Sequence, residues 1–210
     1  MTAATGSKDS PLTRVASNDM NLLEHDQSKG KDAFFEMELA DYLRRHGMRA
    51  SMDEPDIIIE RSHGSYAIAC KKINSLGNVE GQIKKAYRQL RRFGGRGFIA
   101  LNLDVLIPEN TFLSARTGAE AATHLSRMLE NFRDVNMLSL QRPVEDGSCD
   151  GILFTITCLT QIARLSTPLS NYTQIDFWTL ENLQPARLDR AVSFARELNQ
   201  ALEARRREVL

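Results

Sequence analysis

The chain has 210 residues, of which 42% are hydrophobic and 26% are charged, and its 27 basic residues balance its 27 acidic ones. This composition is typical of one globular domain that buries a core without help from metal ions or disulfides. It contains neither an apolar run that could cross a bilayer nor the apolar segment of a secretory signal, so no membrane association is expected and a cytoplasmic location is predicted.

The three cysteines are Cys70, Cys149 and Cys158, and no two of them have C-x-x-C spacing. An odd count without that spacing argues against a structural zinc ion and favours reduced thiols in a reducing compartment. The four histidines are scattered singly along the chain and are interpreted as surface or loop residues.

In chain order, residues 1–28 are rich in small polar side chains and are predicted to be a mobile tail. Residues 28–50 predict a helix, because Phe35, Leu39 and Leu43 recur at helical spacing and Gly47 is a suitable stop. Strands are predicted over 55–60, 66–73, 97–107 and 151–159, and further helices over 78–93, 118–135 and 185–210.

This order of elements predicts an α/β fold with a central mixed sheet flanked by helices. The predicted organisation has three parts: a tail over 1–28, a core over 29–164, and a C-terminal extension over 165–210 that ends in a long helix. Residues 165–184 are predicted to be irregular, with Trp178 anchored against the core.

The second predicted strand, "YAIACKKI", ends on two lysines. Because side chains alternate along a strand, Ala69 and Lys71 share one face, whereas Cys70 and Lys72 share the other. Asp56 lies at the mouth of the neighbouring strand and is predicted to approach Lys71. A salt bridge at the edge of the sheet would explain this pair, and such pairs usually contribute little energy.

Two glutamates of the first predicted helix differ in their surroundings. Glu36 lies beside the apolar stripe and is expected to point towards the body of the protein, whereas Glu38 lies on a wetter face. A carboxylate on the buried side needs a partner. Glu36 is therefore either paired with an arginine or a ligand of a metal ion.

Positive charge is concentrated between residues 71 and 96, where eight basic residues face a single acid, Glu80. Such a segment can attract a polyanion although the net charge of the whole chain is zero. A solvated helix face is the alternative. The eight residues are Lys71, Lys72, Lys84, Lys85, Arg88, Arg91, Arg92 and Arg96.

Residues 29–104 combine a glutamate on a helix, Pro-Asp opening a strand, a hairpin, a lysine in "ACK" and a following helix with "QIKKA". This run resembles the PD-(D/E)xK nuclease superfamily, which includes restriction enzymes, Holliday-junction resolvases and repair nucleases. The resemblance implies a restriction-endonuclease-like core and a Mg²⁺-dependent (or Mn²⁺-dependent) DNA endonuclease. RNA stays open as a substrate, and so does a homodimer, because family members often dimerise to cut both strands.

The resemblance also assigns roles to individual residues. The catalytic positions would be Glu36, Asp56, Ala69 and Lys71, and the metal ligands would be Glu36, Asp56 and the backbone carbonyl of Cys70. Lys71 would orient the attacking water or stabilise charge on the phosphate. The expected nucleic-acid-binding residues are Lys72, Gln82, Lys84, Lys85, Arg88, Arg91 and Arg92.

Ala69 departs from the family pattern, which has Asp or Glu at this position. An alanine contributes no metal ligand, so the chain as written is expected to be inactive. It is interpreted as an inactivated nuclease, but a replacement ligand from the following helix, Glu80, stays open. The alternative function is a non-catalytic nucleic-acid-binding or protein-interaction module on the same fold.

Overall fold

The computed structural model describes residues 29–61, 64–163 and 169–208, without the side chains of residue 29 and of residues 200–208. The predicted mobile tail, residues 1–28, lies outside the described residues.

The described chain contains five helices and seven strands, together with two short 3-10 turns. The helices are α1 (Lys29–Arg45), α2 (Val79–Arg91), α3 (Gly118–Val135), α4 (Met137–Glu145) and α5 (Pro185–Glu208). The strands are β1 (Arg49–Met52), β2 (Ile57–Glu60), β3 (Tyr66–Lys72), β4 (Gly97–Asn102), β5 (Leu113–Ala115), β6 (Gly151–Ile162) and β7 (Ser170–Trp178).

All seven strands form one mixed sheet, as predicted. Strands β1, β2 and β3 pair antiparallel, and β3, β4 and β6 then pair parallel. The end of β6 pairs parallel with β5, and β7 runs antiparallel along β6. Parallel neighbours need a crossover connection, which α2 provides between β3 and β4, and α3 with α4 provides between β5 and β6.

The helices cover the two faces of the sheet with two apolar layers. One layer joins α2, α3 and α4 to the sheet and includes Ala69, Ile83 and Leu125. The other joins α1 and α5 to the opposite face and includes Phe35 and Phe194. The prediction of an α/β fold with flanking helices is therefore confirmed, and neighbouring residues of β3 face different layers.

Parts of the predicted layout are wrong: residues 49–52, at the end of the predicted first helix, form β1, and neither β5 nor α4 was predicted. The predicted stop at Gly47 is confirmed, because the helix ends at Arg45 and Gly47 has a φ of 77°. A left-handed φ favours glycine and ends a helix at this point. The 165–184 region, predicted to be irregular, contains β7. This strand lacks an alternating apolar pattern, and Ile175 is its one fully buried residue. Trp178 packs against the core, as predicted.

None of the helices in the described ranges combines the length and the apolar character that a bilayer span requires.

Candidate functional site

The hairpin of β2 and β3 brings Asp56 and Lys71 together. Ile57 pairs with Ile68, so one further step along the register places Asp56 opposite Ala69. Directly opposite residues of antiparallel strands point to the same face of the sheet. The Nζ of Lys71 lies 3.3 Å from the Oδ2 of Asp56, which confirms that the two residues approach each other.

The Lys71 ammonium group lies between two oxygen atoms. Besides Asp56, it donates a hydrogen bond to the backbone carbonyl of Cys70 at 2.5 Å. The same Asp56 oxygen accepts the backbone N–H of Cys70 at 2.7 Å, so the carboxylate is held from two sides. The Lys71 and Asp56 side chains are only 15% and 12% exposed, which limits the screening of their attraction by water.

Ala69 has no solvent exposure and packs into the layer beneath α2. Its methyl group shares the face of β3 that carries Lys71, directly across from Asp56. A carboxylate introduced at position 69 would therefore begin beside these two residues. It would also have to enter a closely packed part of the core.

Glu36 is 6% exposed, so its predicted burial is confirmed. Its helix covers the opposite face of the sheet from Ala69 and Lys71. Burial raises the pKa of the Cys70 thiol well above its usual range; the Asp56 and Glu36 charges raise this pKa further, and Lys71 opposes them. Glu36 is therefore near Cys70, whose side chain lies in the α1 layer, on the opposite face of β3 from Ala69.

The fit of these residues to a Mg²⁺ ion is poor in the chain as written. Magnesium requires a near-octahedral shell of oxygen ligands. Two oxygens that the resemblance assigns to the metal, on Asp56 and Cys70, accept hydrogen bonds from Lys71, and Ala69 supplies no ligand. Over residues 29–61, 64–163 and 169–208, no three His, Cys, Asp or Glu side chains form a group that could hold a metal ion.

Lys71 also lines a cavity of about 320 Å³, which we call the basic groove. The other lining residues come from α2 and from the residue that follows it: Lys85, Arg88, Gln89 and Arg92. Four of the five side chains are cationic, so the groove has a concentrated positive potential. The structure thus brings Lys71 together with three of the basic residues that were predicted to bind nucleic acid.

The other residues that were predicted to bind nucleic acid do not line the basic groove. Gln82 is buried, and Arg91 is exposed outside the groove lining. Lys84 forms an ion pair with Glu80 at 2.5 Å on the surface of α2. The hydrogen bond from Lys84 lowers the pKa of Glu80, so this carboxylate, the candidate replacement ligand, is engaged with a lysine.

Lys72 points to the α1 side of the sheet, where sequence analysis missed a polar cluster. The strand registers align Lys72 with Asn102, and Asn102 with Thr155. Asp104 accepts hydrogen bonds from the Asn102 side chain at 3.0 Å and from the backbone N–H of Thr157 at 2.8 Å. These residues lie where parallel strands β3 and β4 end, a common position for ligand sites in α/β sheets.

Glu38 extends from α1 towards this polar cluster. It is an exposed residue, yet desolvation of its carboxyl group and the nearby charge of Asp104 raise its pKa to about 7, and Lys72 opposes this shift. A cavity of about 290 Å³ lies between α1 and the sheet here, with Glu38 and Asn102 in its lining. The polar cluster could have been found by aligning polar residues across neighbouring parallel strands. That alignment requires the strand order, which the sequence alone does not provide.

A scan against models of known protein families finds no match for this chain. No curated protein matches its sequence either. The resemblance to PD-(D/E)xK nucleases therefore depends on the residues described above.

Proposed function

We propose that this chain is a DNA-binding protein with the restriction-endonuclease-like core of the PD-(D/E)xK nucleases. In the chain as written, its phosphodiester-cleaving site would be inactive because Ala69 supplies no carboxylate. The observation that carries this proposal is the position of Lys71, which pairs with Asp56 and also lines the basic groove.

The basic groove suits the phosphate backbone of a nucleic acid. Lys85, Arg88 and Arg92 line it, and each of these side chains is exposed enough to reach a ligand. Neutralising phosphates with lysine and arginine releases counterions, which supplies affinity that does not depend on base sequence and that falls steeply with salt. We therefore expect salt-sensitive binding with little sequence preference.

The nuclease part of the proposal is supported by the common orientation of three positions. Asp56, Ala69 and Lys71 all face the α2 side of the sheet, and Asp56 lies directly across from Ala69. This is the arrangement that the resemblance associates with two acidic ligands and a lysine. One acidic ligand is replaced by a methyl group.

Ala69→Glu tests this part of the proposal. The purified variant should cut DNA in the presence of Mg²⁺ or Mn²⁺, with duplex, junction, single-stranded and RNA substrates compared in parallel. Ala69→Gln is the matched control, because it has nearly the same size and lacks the charge, and it should not cut. Adding Asp56→Asn to the A69E variant should abolish cutting.

A folded A69E protein that cuts none of these substrates with either metal would contradict the nuclease assignment. We expect the A69E protein to dimerise on a duplex, since members of the family it resembles often pair to cut both strands. Light scattering of the A69E protein with a duplex measures this. Circular dichroism of all the variants is needed first, because position 69 is fully buried.

A non-catalytic nucleic-acid-binding module is the second candidate. The hydrogen bonds from Lys71 to both Asp56 and Cys70 favour it, because they engage the oxygens that a metal ion would need. This candidate predicts salt-sensitive DNA binding by the chain as written and no cutting by A69E. If no DNA or RNA binding is measurable at low salt, an acidic protein partner becomes the better match for the basic groove.

A further inference from the structure

We infer that the basic groove binds a single strand of nucleic acid more tightly than a duplex, with an unpaired base stacked on the ring of Phe93. The ligand chemistry is a phosphodiester strand whose base faces are open, and single-stranded DNA and RNA both provide it. This inference rests on the proposed function and specifies which form of nucleic acid the groove takes.

Phe93 is a large apolar residue at the end of the basic groove. It follows Arg92, which lines the groove, and its side chain is 39% exposed. The ring belongs to neither apolar layer of the core, and no other aromatic ring contacts it within the described ranges. Its face is therefore open to a ligand.

The turn that carries Phe93 has a fixed backbone. The carbonyl of Leu90 accepts the N–H of Phe93 at 2.8 Å and the N–H of Gly95 at 3.2 Å. Gly95 has a φ of 71°, and a Cβ atom there would collide with the backbone carbonyl of Gly147. Because the turn is packed this closely, little of it has to be ordered when a ligand binds.

The cations of the groove form a row on α2 that leads to Phe93. Lys85, Arg88 and Arg92 are three and four residues apart, so they lie on one side of the helix. A strand whose phosphates follow this row has a base beside Phe93. A cationic groove that follows the backbone, combined with an aromatic ring for a base, is the general arrangement of single-strand binding sites.

Gln89 adds a hydrogen-bonding group to the same groove. It lies on α2 one turn before Phe93, and its amide oxygen is buried without a hydrogen-bond partner among the described residues. An amide oxygen in this state is costly, and the terminal torsion of glutamine rotates easily. The N–H group of an unpaired base could therefore draw this oxygen into the groove.

The preference for a single strand follows from the need for an open base face. In a duplex, neighbouring base pairs cover both faces of each base, whereas the phosphates stay accessible. A duplex can therefore contact the cations of the groove but cannot stack on Phe93 without unstacking a base, which costs free energy. A single strand makes both contacts.

Fluorescence anisotropy with labelled oligonucleotides of equal length tests this preference. The ligands are single-stranded DNA, single-stranded RNA, a DNA duplex and an abasic single strand that has phosphates but no bases. Phe93→Leu keeps an apolar side chain and removes the ring. It should weaken binding of the single strands about five- to tenfold and change binding of the duplex and the abasic strand by less than about twofold.

Phe112→Leu is the matched control. Phe112 is the other exposed phenylalanine in the described ranges, and it does not line the groove. This substitution should leave all four affinities unchanged. In addition, F93L should keep the wild-type slope of log affinity against log salt, because it removes no phosphate contact.

Phe93→Trp gives a second readout that reports stacking directly. It should bind single strands at least as tightly as wild type. Its fluorescence, after subtraction of the Trp178 signal of wild type, should be quenched by the single strands and not by the abasic strand. Tighter binding of either DNA or RNA identifies the source of the strand, and either supports the inference if F93L weakens it.

Two results would overturn this inference alone. One is a folded F93L protein that binds single strands as tightly as wild type, and the other is an equal loss of affinity for single strands, duplex and abasic strand. Wild type that binds neither DNA nor RNA at low salt would instead overturn the proposed function, and this inference with it.

Discussion

The carboxylate of Asp150 accepts hydrogen bonds from both the Nε and an Nη atom of Arg190, at 2.9 and 3.0 Å. Asp150 has no solvent exposure, and it also accepts a hydrogen bond from Arg187 at 3.1 Å. Both arginines lie near the start of α5, one turn apart, so this aspartate ties the C-terminal helix to the residues that precede β6. The hydrogen bond to Asp150 raises the pKa of Arg190 above its usual value.

Asp150→Asn should destabilise the protein strongly, because it leaves two partly buried guanidinium groups without their counterion. Breaking one side of a buried ion pair costs about 3–5 kcal/mol in the free energy of unfolding. Urea denaturation measures this. Asp134→Asn, which removes an exposed pair with Arg133, should change stability by less than about 0.5 kcal/mol. Equal effects of the two substitutions would show that Asp150 does not hold α5.

Glu38 should make folding stability depend on pH. Its pKa is about 7 in the folded protein, above the value of 4.5 for the unconstrained group, so the folded state binds the proton more tightly than the unfolded state. The contribution of Glu38 to stability is therefore greatest below about pH 4.5, falls as the pH rises, and levels off above about pH 7. The groups that act on Glu38 are Asp104, which raises its pKa, and Lys72, which lowers it.

Glu38→Gln should remove this dependence and stabilise the protein at pH 8. Because the residue is exposed, solvent screening reduces the gain to about 1 kcal/mol, or a rise of about 2–4 °C in Tm. Thermal unfolding followed between pH 4.5 and 8 measures the difference between the two proteins. Glu130→Gln on α3 is the control for an exposed glutamate, and an identical response of both variants would contradict the prediction.

Arg88 and Arg91 allow a comparison of two basic residues on one helix. Arg88 lines the basic groove, whereas Arg91 is exposed outside its lining. If the groove holds phosphate, Arg88→Ala should weaken DNA binding about five- to tenfold and reduce the slope of log affinity against log salt by about one. Arg91→Ala should have a smaller effect. The measurement is a salt titration of duplex binding, and equal losses would indicate a diffuse basic surface.

Features that depend on local order in the chain could be predicted from the sequence. Alternation along β3 correctly separated Lys71 from Lys72, and helical spacing correctly predicted the burial of Glu36. Both patterns repeat over a few residues, so they are visible without knowledge of the fold. The approach of Asp56 to Lys71 was also predictable, because a short hairpin brings the two positions together.

Features that depend on distant partners could not be predicted. The ion pairs of Asp150 could not be read from the sequence, since its arginines lie 37 and 40 residues further along the chain. The strand β7 has little apolar alternation of its own and forms because β6 provides its hydrogen-bond partners. Likewise, Asp104 meets Thr157 only because β4 and β6 are neighbours in the sheet.

The sequence by itself determined the α/β class, the hairpin that carries Asp56 and Lys71, and the alanine at position 69. Only the tertiary structure decided which basic residues line a groove with Lys71 and which cation occupies the oxygens of Asp56 and Cys70. The physical reason is that a side chain's identity and its local spacing are written in the chain. Its electrostatic partners, in contrast, depend on strand order, register and burial, which emerge only when the whole sheet forms.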